Sequence, residues 1–506
     1  MIESILQGFV ALLDPQVFLL LVIGFSVGLF FGIVPGLTAT LAIALLLPIT
    51  FALEPIKALV MAMGIFMAGI YSGSVTGIIV NIPGSPGGAV TTMEGYPLML
   101  KGRGTDALTH AAFSSFVGGV GGVLILMFLC PVIARGALLL HTADRFSLIV
   151  LSLVAVGVAN SGSMAKGIVA TTFGLMLGTI GIDTQLPLAR YHFGFAFMTE
   201  GIDLLPAIIG IFAVSELLYQ IEVGLPKFST IVDVKNLKFK RRDFIPKLGD
   251  IKKIGFKLYA KSAVIGNLVG ALPGAGAAMA GFISYAEAKR SSKHPEEYGK
   301  GTIEGVSAVE AANNSMCAGA MVPLLTLGIP GDACTAMVLG MFKIQGIVPG
   351  PALFKTSMHL ITPMYAALMV GAVMIPISLW LFGPYYIKIS QIRRSVLYSF
   401  IALIAMAGAY ASAYSPFQMT VTLVLGVVAF LFRKLGYPAV PLLMGIILGP
   451  MAEDYLRRAL MINDGNPMIF FTRPFSLGFL IVAVIFAYFL GYRQRNKPKT
   501  VSAPEG

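Results

Sequence analysis

Residues 28–36 read GLFFGIVPG, and residues 266–274 read GNLVGALPG. Gly28, Gly32, Pro35 and Gly36 thus return as Gly266, Gly270, Pro273 and Gly274 with the same internal spacing. Each copy lies inside an apolar stretch. Residues 15–53 carry no charged side chain. As one helix they would run roughly 58 Å, about twice the hydrocarbon core of a bilayer. The stretch must break, and Pro35-Gly36 is the place. Proline removes a backbone donor and crowds the preceding turn, while glycine accepts the dihedrals that follow. The sequence therefore predicts a helical hairpin with arms 16–34 and 37–52. The matching segment, 262–286, is also free of charge, with basic clusters on both sides. A single crossing would put one cluster on the far side of the membrane. A hairpin, 258–288, broken at Pro273-Gly274 keeps both in the cytoplasm.

A second pair follows in the same order: Asn81-Ile82-Pro83-Gly84 and Gly328-Ile329-Pro330-Gly331. It predicts two broken segments, 58–100 and 303–348. Further spans are expected near 108–134, 146–162, 164–182, 203–221, 358–386, 395–412, 416–433, 437–451 and 474–492. The fold class is then an all-α polytopic membrane protein of roughly ten to twelve membrane elements. Basic anchors orient the first hairpin and the second oppositely, giving two inverted-topology repeats with helical hairpins and broken helices. The expected organisation is an N-terminal repeat half (1–224), a basic cytoplasmic loop (225–257), and a C-terminal repeat half with a cytoplasmic tail (258–506).

Composition agrees with a membrane chain. Of 506 residues, 57% are hydrophobic and 12% charged, against about 25% charged in soluble domains. The net charge of +12 is concentrated: Lys227, Lys235, Lys238, Lys240, Arg241, Arg242, Lys247, Lys252, Lys253 and Lys257 crowd one loop. Between spans this reads as the positive-inside bias rather than a nucleic-acid surface. Cys130, Cys317 and Cys334 have neither disulfide nor metal spacing. No lysine or arginine precedes the first apolar run, so a cleaved signal peptide is not expected. The glycine ladders, Gly24 to Gly36 and Gly266 to Gly274 in steps of four, are small-residue faces that let helices approach closely.

An unwound backbone at membrane depth persists only when covered by protein or facing a wet cavity. Where a half-helix starts at such a break, unpaired N–H groups and a positive dipole end meet a ligand. Several such ends suit a carboxylate without a buried arginine, and no Lys or Arg lies near the breaks. The candidate substrate-binding residues are Pro35, Gly36, Thr38, Asn81, Pro83, Gly84, Ser85, Pro273, Gly274, Asn314, Pro330 and Gly331. Asp332, Thr335 and Glu310 are the candidates for cation coupling. Asp332 is the sole charged residue between 311 and 342; intramembrane carboxylates are costly and functional by default. It either binds a cation, carries a proton, or caps a half-helix. Ser307, Glu310 and Asn314 share a helical face, which either lines an aqueous path or packs on protein. Glu94 reads as a rough counterpart of Asp332 in the first half. The pattern Gly24-Phe25-Ser26-Val27-Gly28 mimics a nucleophile elbow, but it sits in a long apolar helix. There is no Walker loop and no His-Glu-x-x-His, so neither an enzyme, a metal site nor a cofactor is expected; the coupling ion is H+ or Na+.

GIVPGLTATLAIALLLPITF (32–51), NIPGSPGGAVTTMEGYPL (81–98) and the block from GALPGAG to CTAMVLG (270–340) resemble the large membrane subunit of tripartite tricarboxylate transporters, the TctA family. The resemblance spans essentially the whole chain. It implies the translocating permease of a secondary transporter in the bacterial inner membrane. It also implies two partners, a periplasmic solute-binding protein and a small membrane subunit of about four spans. Substrates would be citrate and related carboxylates, including aromatic acids, taken up by symport with a cation rather than with ATP. The alternative reading is a stand-alone anion channel or symporter without a binding protein.

Overall fold

The computed structural model describes residues 2–159, 163–183, 185–223, 240–274, 276–390 and 394–495. Much of the basic loop (224–239) and the end of the tail (496–506) lie outside them. The described chain is almost wholly helical. It opens with α1 (Ile2–Ala11), α2 (Pro15–Ile33), α3 (Ala39–Leu46), α4 (Pro55–Val80), α5 (Gly88–Leu100) and α6 (Gly104–Ala137). Then come α7 (Thr142–Ala159), α8 (Met164–Gly178), α9 (Leu204–Ile208), α10 (Ser215–Val223) and α11 (Leu248–Ile254). The second half brings α12 (Phe256–Gly270), α13 (Gly276–Ser291), α14 (Ile303–Leu327), α15 (Ala333–Ile344) and α16 (Leu353–Thr356). The last helices are α17 (Met358–Ser390), α18 (Arg394–Ala413), α19 (Pro416–Lys434), α20 (Ala439–Ile462), α21 (Ile469–Thr472) and α22 (Pro474–Arg495).

Seven described helical stretches, one of them the continuous run Leu204–Val223 through α9 and α10, are long and apolar enough to cross a membrane, and five shorter apolar helices accompany them. The protein is an all-α, multi-pass membrane protein.

Two compact units emerge, and each draws on both halves of the sequence. One comprises Met1–Leu139 with Asp203–Phe430; the other comprises Leu140–Ile202 with Leu431–Gly506. In the second unit α8 lies against α20 through a glycine pair. A β-carbon at Gly174 would stand 2.1 Å from the Leu442 carbonyl oxygen, and one at Gly445 2.3 Å from that of Thr171. Arg473 donates to the buried Asp144 carboxylate, and Arg457 and Arg190 bridge Asp183 and Glu453.

The first unit holds every interruption predicted from the Pro-Gly pairs. The hairpin of α2 and α3 breaks at residues 34–38, and that of α12 and α13 after Gly270, at 271–274. The broken segments divide between α4 and α5, and between α14 and α15. α4 ends on Asn81 in the left-handed region (φ 58°), and α14 ends on Gly328 at φ 71°. Asparagine and glycine are the residues that tolerate this conformation at a helix C-terminus.

The sequence repeat is matched contact for contact. Gly28 is pressed on the Ile65 carbonyl and Gly266 on that of Ala312; their β-carbons would approach to 2.3 and 2.1 Å. A β-carbon at Gly32 would stand 2.8 Å from both the Gly69 carbonyl oxygen and the Gly73 nitrogen, and one at Gly270 2.6 and 2.9 Å from those of Met316 and Ala320. The glycine ladders thus let the outer arm of each hairpin lie backbone-to-backbone on the long helix that follows it, α2 on α4 and α12 on α14.

Candidate functional site

Each hairpin tip is locked onto the break that follows it. Gly84 lies where a β-carbon would stand 2.7 Å from the Gly32 carbonyl oxygen; Gly331 lies likewise 2.8 Å from that of Gly270. The Gly84 N–H donates to the Gly73 carbonyl at 2.8 Å, and the Gly274 N–H to that of Gly331 at 2.7 Å. The two pairs are also joined to each other. Thr40 Oγ1, in the first turn of α3, is 3.3 Å from Cys334 Sγ in the first turn of α15. Gly87, in the first broken segment, abuts the Asn313 side chain of α14. The four interruptions therefore form one connected region.

Short helices start at each break, and hydroxyl or carboxylate side chains accept N–H groups at the start of three of them. Thr38 Oγ1 accepts the Leu41 N–H at 3.1 Å at the start of α3. Ser85 Oγ accepts the Gly88 N–H at 3.0 Å. Asp332 Oδ1 accepts the Thr335 N–H and hydroxyl at 2.8 and 2.7 Å, while the Asp332 N–H donates to Thr335 Oγ1. Among the readings of Asp332, the capping box is the one formed in this conformation. Asp332 remains partly exposed, as do Gly36, Thr38 and Pro273; Asn81 and Pro83 are exposed, whereas Pro35, Gly84, Gly274, Pro330 and Gly331 are buried.

One expectation is corrected here, and one left open between two alternatives is resolved. Glu94 is not the counterpart of Asp332. The repeat places Ser85 there: both directly follow Ile-Pro-Gly, and both accept the N–H three residues on. The shared tripeptide already held that signal. Glu94 is instead a fully buried clamp on the loop before α14. It accepts the N–H groups of Gly299, Gly301 (2.7 Å) and Thr302 (2.9 Å), and the Tyr285 hydroxyl (2.6 Å). The stripe of Ser307, Glu310 and Asn314 faces protein, since all three are wholly buried. Asn314 Nδ2 donates to the Met67 carbonyl of α4 at 3.1 Å, so it joins two helices beneath the breaks rather than standing at a tip.

Glu310 sits deep between helices. Its carboxylate accepts the Thr91 hydroxyl of α5 and, at 2.9 Å, the Ser115 hydroxyl of α6. Asn313, beside Gly87, is fully buried, and neither atom of its amide has a hydrogen-bond partner among the described residues. A buried amide without partners is costly, so Asn313 carries unsatisfied polar capacity beside the first broken segment. Sequence reading places Thr91 and Asn313 among the polar side chains clustered at the breaks but does not single out Ser115; which of them become neighbours is set by long-range helix packing.

Paired helical hairpins and broken helices, interlocked inside a multi-pass chain, define a membrane protein built around discontinuous helices, the arrangement of secondary transporters. The chain belongs to the tripartite tricarboxylate transporter TctA family, whose family model matches residues 18–444. It is a membrane transport protein. A protein of Agrobacterium vitis, described as an uncharacterized 52.8 kDa protein in the TAR-I ttuC' 3' region, is 36% identical over 96% of this chain and 95% of its own length. A second Agrobacterium vitis protein, from the TAR-II ttuC' 3' region, is 37% identical over 46% of this chain and 97% of its own. No solved structure matches.

Proposed function

We propose that this chain is the large permease subunit of a binding-protein-dependent secondary transporter in the bacterial inner membrane. It takes up tricarboxylates or related carboxylates, driven by a gradient of H+ or Na+. A periplasmic solute-binding protein delivers the acid, and a small membrane subunit of about four spans completes the assembly. The basic loop and the C-terminus face the cytoplasm, and the two repeats have opposite orientation in the bilayer.

The single observation that carries this reading is the close seating of each hairpin on the break that follows it, Gly84 against Gly32 and Gly331 against Gly270, with short helices starting there. Such N-termini offer N–H groups and a positive dipole end to an anion. The exposed residues of the first break, Asn81 and Pro83, form the mouth of the cradle. Thr38 and Ser85 cap its helices, and Gly36, Gly84, Gly274 and Gly331 bring backbone to the substrate. Pro35, Pro273 and Pro330 hold the breaks open, and Asn314 fixes α14 beneath them. Asp332 and Thr335 flank the second break on the coupling side. A permease of this kind moves its tips with the substrate between two openings.

Site-directed thiol labelling tests the cradle. A cysteine placed at Asn81 or Pro83 should react with a membrane-impermeant maleimide, and citrate should slow the reaction. Unchanged labelling across carboxylates that the protein demonstrably carries would place the site elsewhere.

A further inference from the structure

Two glutamates are wholly buried in this unit, Glu94 and Glu310, and they are held in opposite ways. Glu94 receives three backbone N–H groups and a tyrosine hydroxyl. That is a full shell for a carboxylate. Glu310 receives only hydroxyls, those of Thr91 and Ser115 with Ser74 beside them, no backbone N–H, and no ion pair with a lysine or arginine among the described residues. A carboxylate taken out of water with so little compensation costs several kcal/mol. A carboxylic acid in the same place does not, because it needs one acceptor for its O–H, and either hydroxyl oxygen serves.

A file of polar side chains leads to Glu310 from the surface that carries the basic segment. Asp250, on α11 and partly exposed, stands 3.7 Å from His110 Nε2. His110 is buried on α6, one turn before Ser114. The Ser114 hydroxyl and that of Ser307, one turn before Glu310 on α14, both lie against the Tyr259 hydroxyl of α12. The three hydroxyls lie within reach of one another but outside good hydrogen-bond geometry, and His110 Nδ1 has no partner among the described residues. Under-satisfied polar groups in a row, all buried, cost stability for no packing gain. On the far side of Glu310, Thr91 and Ser74 lead to the region of Asn313 and the first break. The other titratable group that faces Glu310 is Tyr71 of α4.

We propose that Glu310 is the proton carrier of the transport cycle and that the file Asp250, His110, Ser114, Tyr259, Ser307 connects it to the cytoplasmic face. The inference rests on the transport reading and makes H+ the coupling ion at this site. In one state Glu310 holds the proton and lends its O–H to Thr91 or Ser115. In the other the proton leaves along the file, and the two hydroxyls turn to donate to the carboxylate, as they do here. Ser307 and Tyr259 act as positioning residues of the path.

Two measurements test it with the full chain. The first needs no substrate: infrared difference spectra of the reconstituted protein across a pH titration. A protonated-carboxyl band should be present in the wild type and in Glu94→Gln, and absent in Glu310→Gln. An unchanged band in Glu310→Gln would overturn the proposal, whatever the fate of the transport reading. The second uses labelled citrate with both partner subunits in proteoliposomes at clamped membrane potential. Each coupled proton sustains up to about tenfold accumulation per pH unit of gradient. Glu310→Gln should lose that accumulation, ending near equilibration, while keeping citrate exchange. Accumulation by Glu310→Gln equal to wild type under a pH gradient would refute the carrier role. Failure of the wild type to move citrate would fall on the transport reading instead, and the infrared result would still judge Glu310.

Discussion

Replacing Glu94 by alanine removes the acceptor for four donors at once. Of these, the Tyr285 hydroxyl and the Thr302 N–H belong to residues that are almost fully buried, at 8% exposure each. The N–H groups of Gly299 and Gly301 are nearer the surface and can turn to water. A buried donor left without a partner costs about 1–3 kcal/mol. Two such donors give a loss of about 2–6 kcal/mol for Glu94→Ala, among the larger effects of a point substitution. Glu94→Gln keeps one carbonyl oxygen but turns an NH2 toward the other donors, so it should fall between wild type and alanine. Thermal unfolding of the detergent-purified protein, followed by size-exclusion chromatography, reads the loss, and limited proteolysis at 292–302 reads its location. A melting curve for Glu94→Ala that superimposes on wild type, with no new cleavage in that loop, would refute the clamp.

Three further outcomes follow from the geometry. Gly28→Leu and Gly266→Leu should each impair folding, because even a β-carbon would stand 2.3 or 2.1 Å from a carbonyl oxygen; overpacking of this kind costs about 1–3 kcal/mol or more. Expression and melting temperature check it, and comparable damage at both sites is expected. Ser85→Ala and Asp332→Ala each lose a helix cap worth about 1 kcal/mol. Asp332→Asn keeps the cap and removes the charge, so it should melt like wild type yet transport poorly; full transport would remove Asp332 from the mechanism. Asp183, in the loop between α8 and α9, is held down to about 2 by the backbone N–H groups of Leu186 and Gln185, with help from Arg457. A depressed carboxyl stabilises the fold above its ordinary value, about 4, and loses that contribution as pH falls through the native value. Wild type should therefore out-melt Asp183→Asn at neutral pH, and the gap should narrow as pH drops from about 4 toward about 2.

The breaks were legible because they are local. A charge-free run too long for one crossing must fold back, and Pro-Gly is the cheapest place to do it. The hairpin arms and the two broken segments fall within a few residues of their predicted ends for that reason. The cap role of Asp332 was also readable, from the preference of aspartate for helix starts. The polar interior was not legible. Glu94 meets loop residues 205 to 208 positions away, and Glu310 meets Thr91 and Ser115 at separations of 219 and 195. No local period reports which of two buried carboxylates will be wrapped in N–H donors and which left with hydroxyls. The compact units were hidden as well. Cutting the chain at the basic loop gives sequence halves, but packing groups α1 to α6 with α9 to α18 and most of α19 into one body, leaving α7 and α8 of the first half with the end of the second.

The transport claim is tested most directly by uptake of labelled citrate and related carboxylates into proteoliposomes, with the binding protein present or omitted and the pH and sodium gradients set independently. The account predicts uptake against a gradient that needs the binding protein and collapses with an ionophore. Carboxylate movement that only equilibrates, or that ignores both ion gradients and the binding protein, would contradict it.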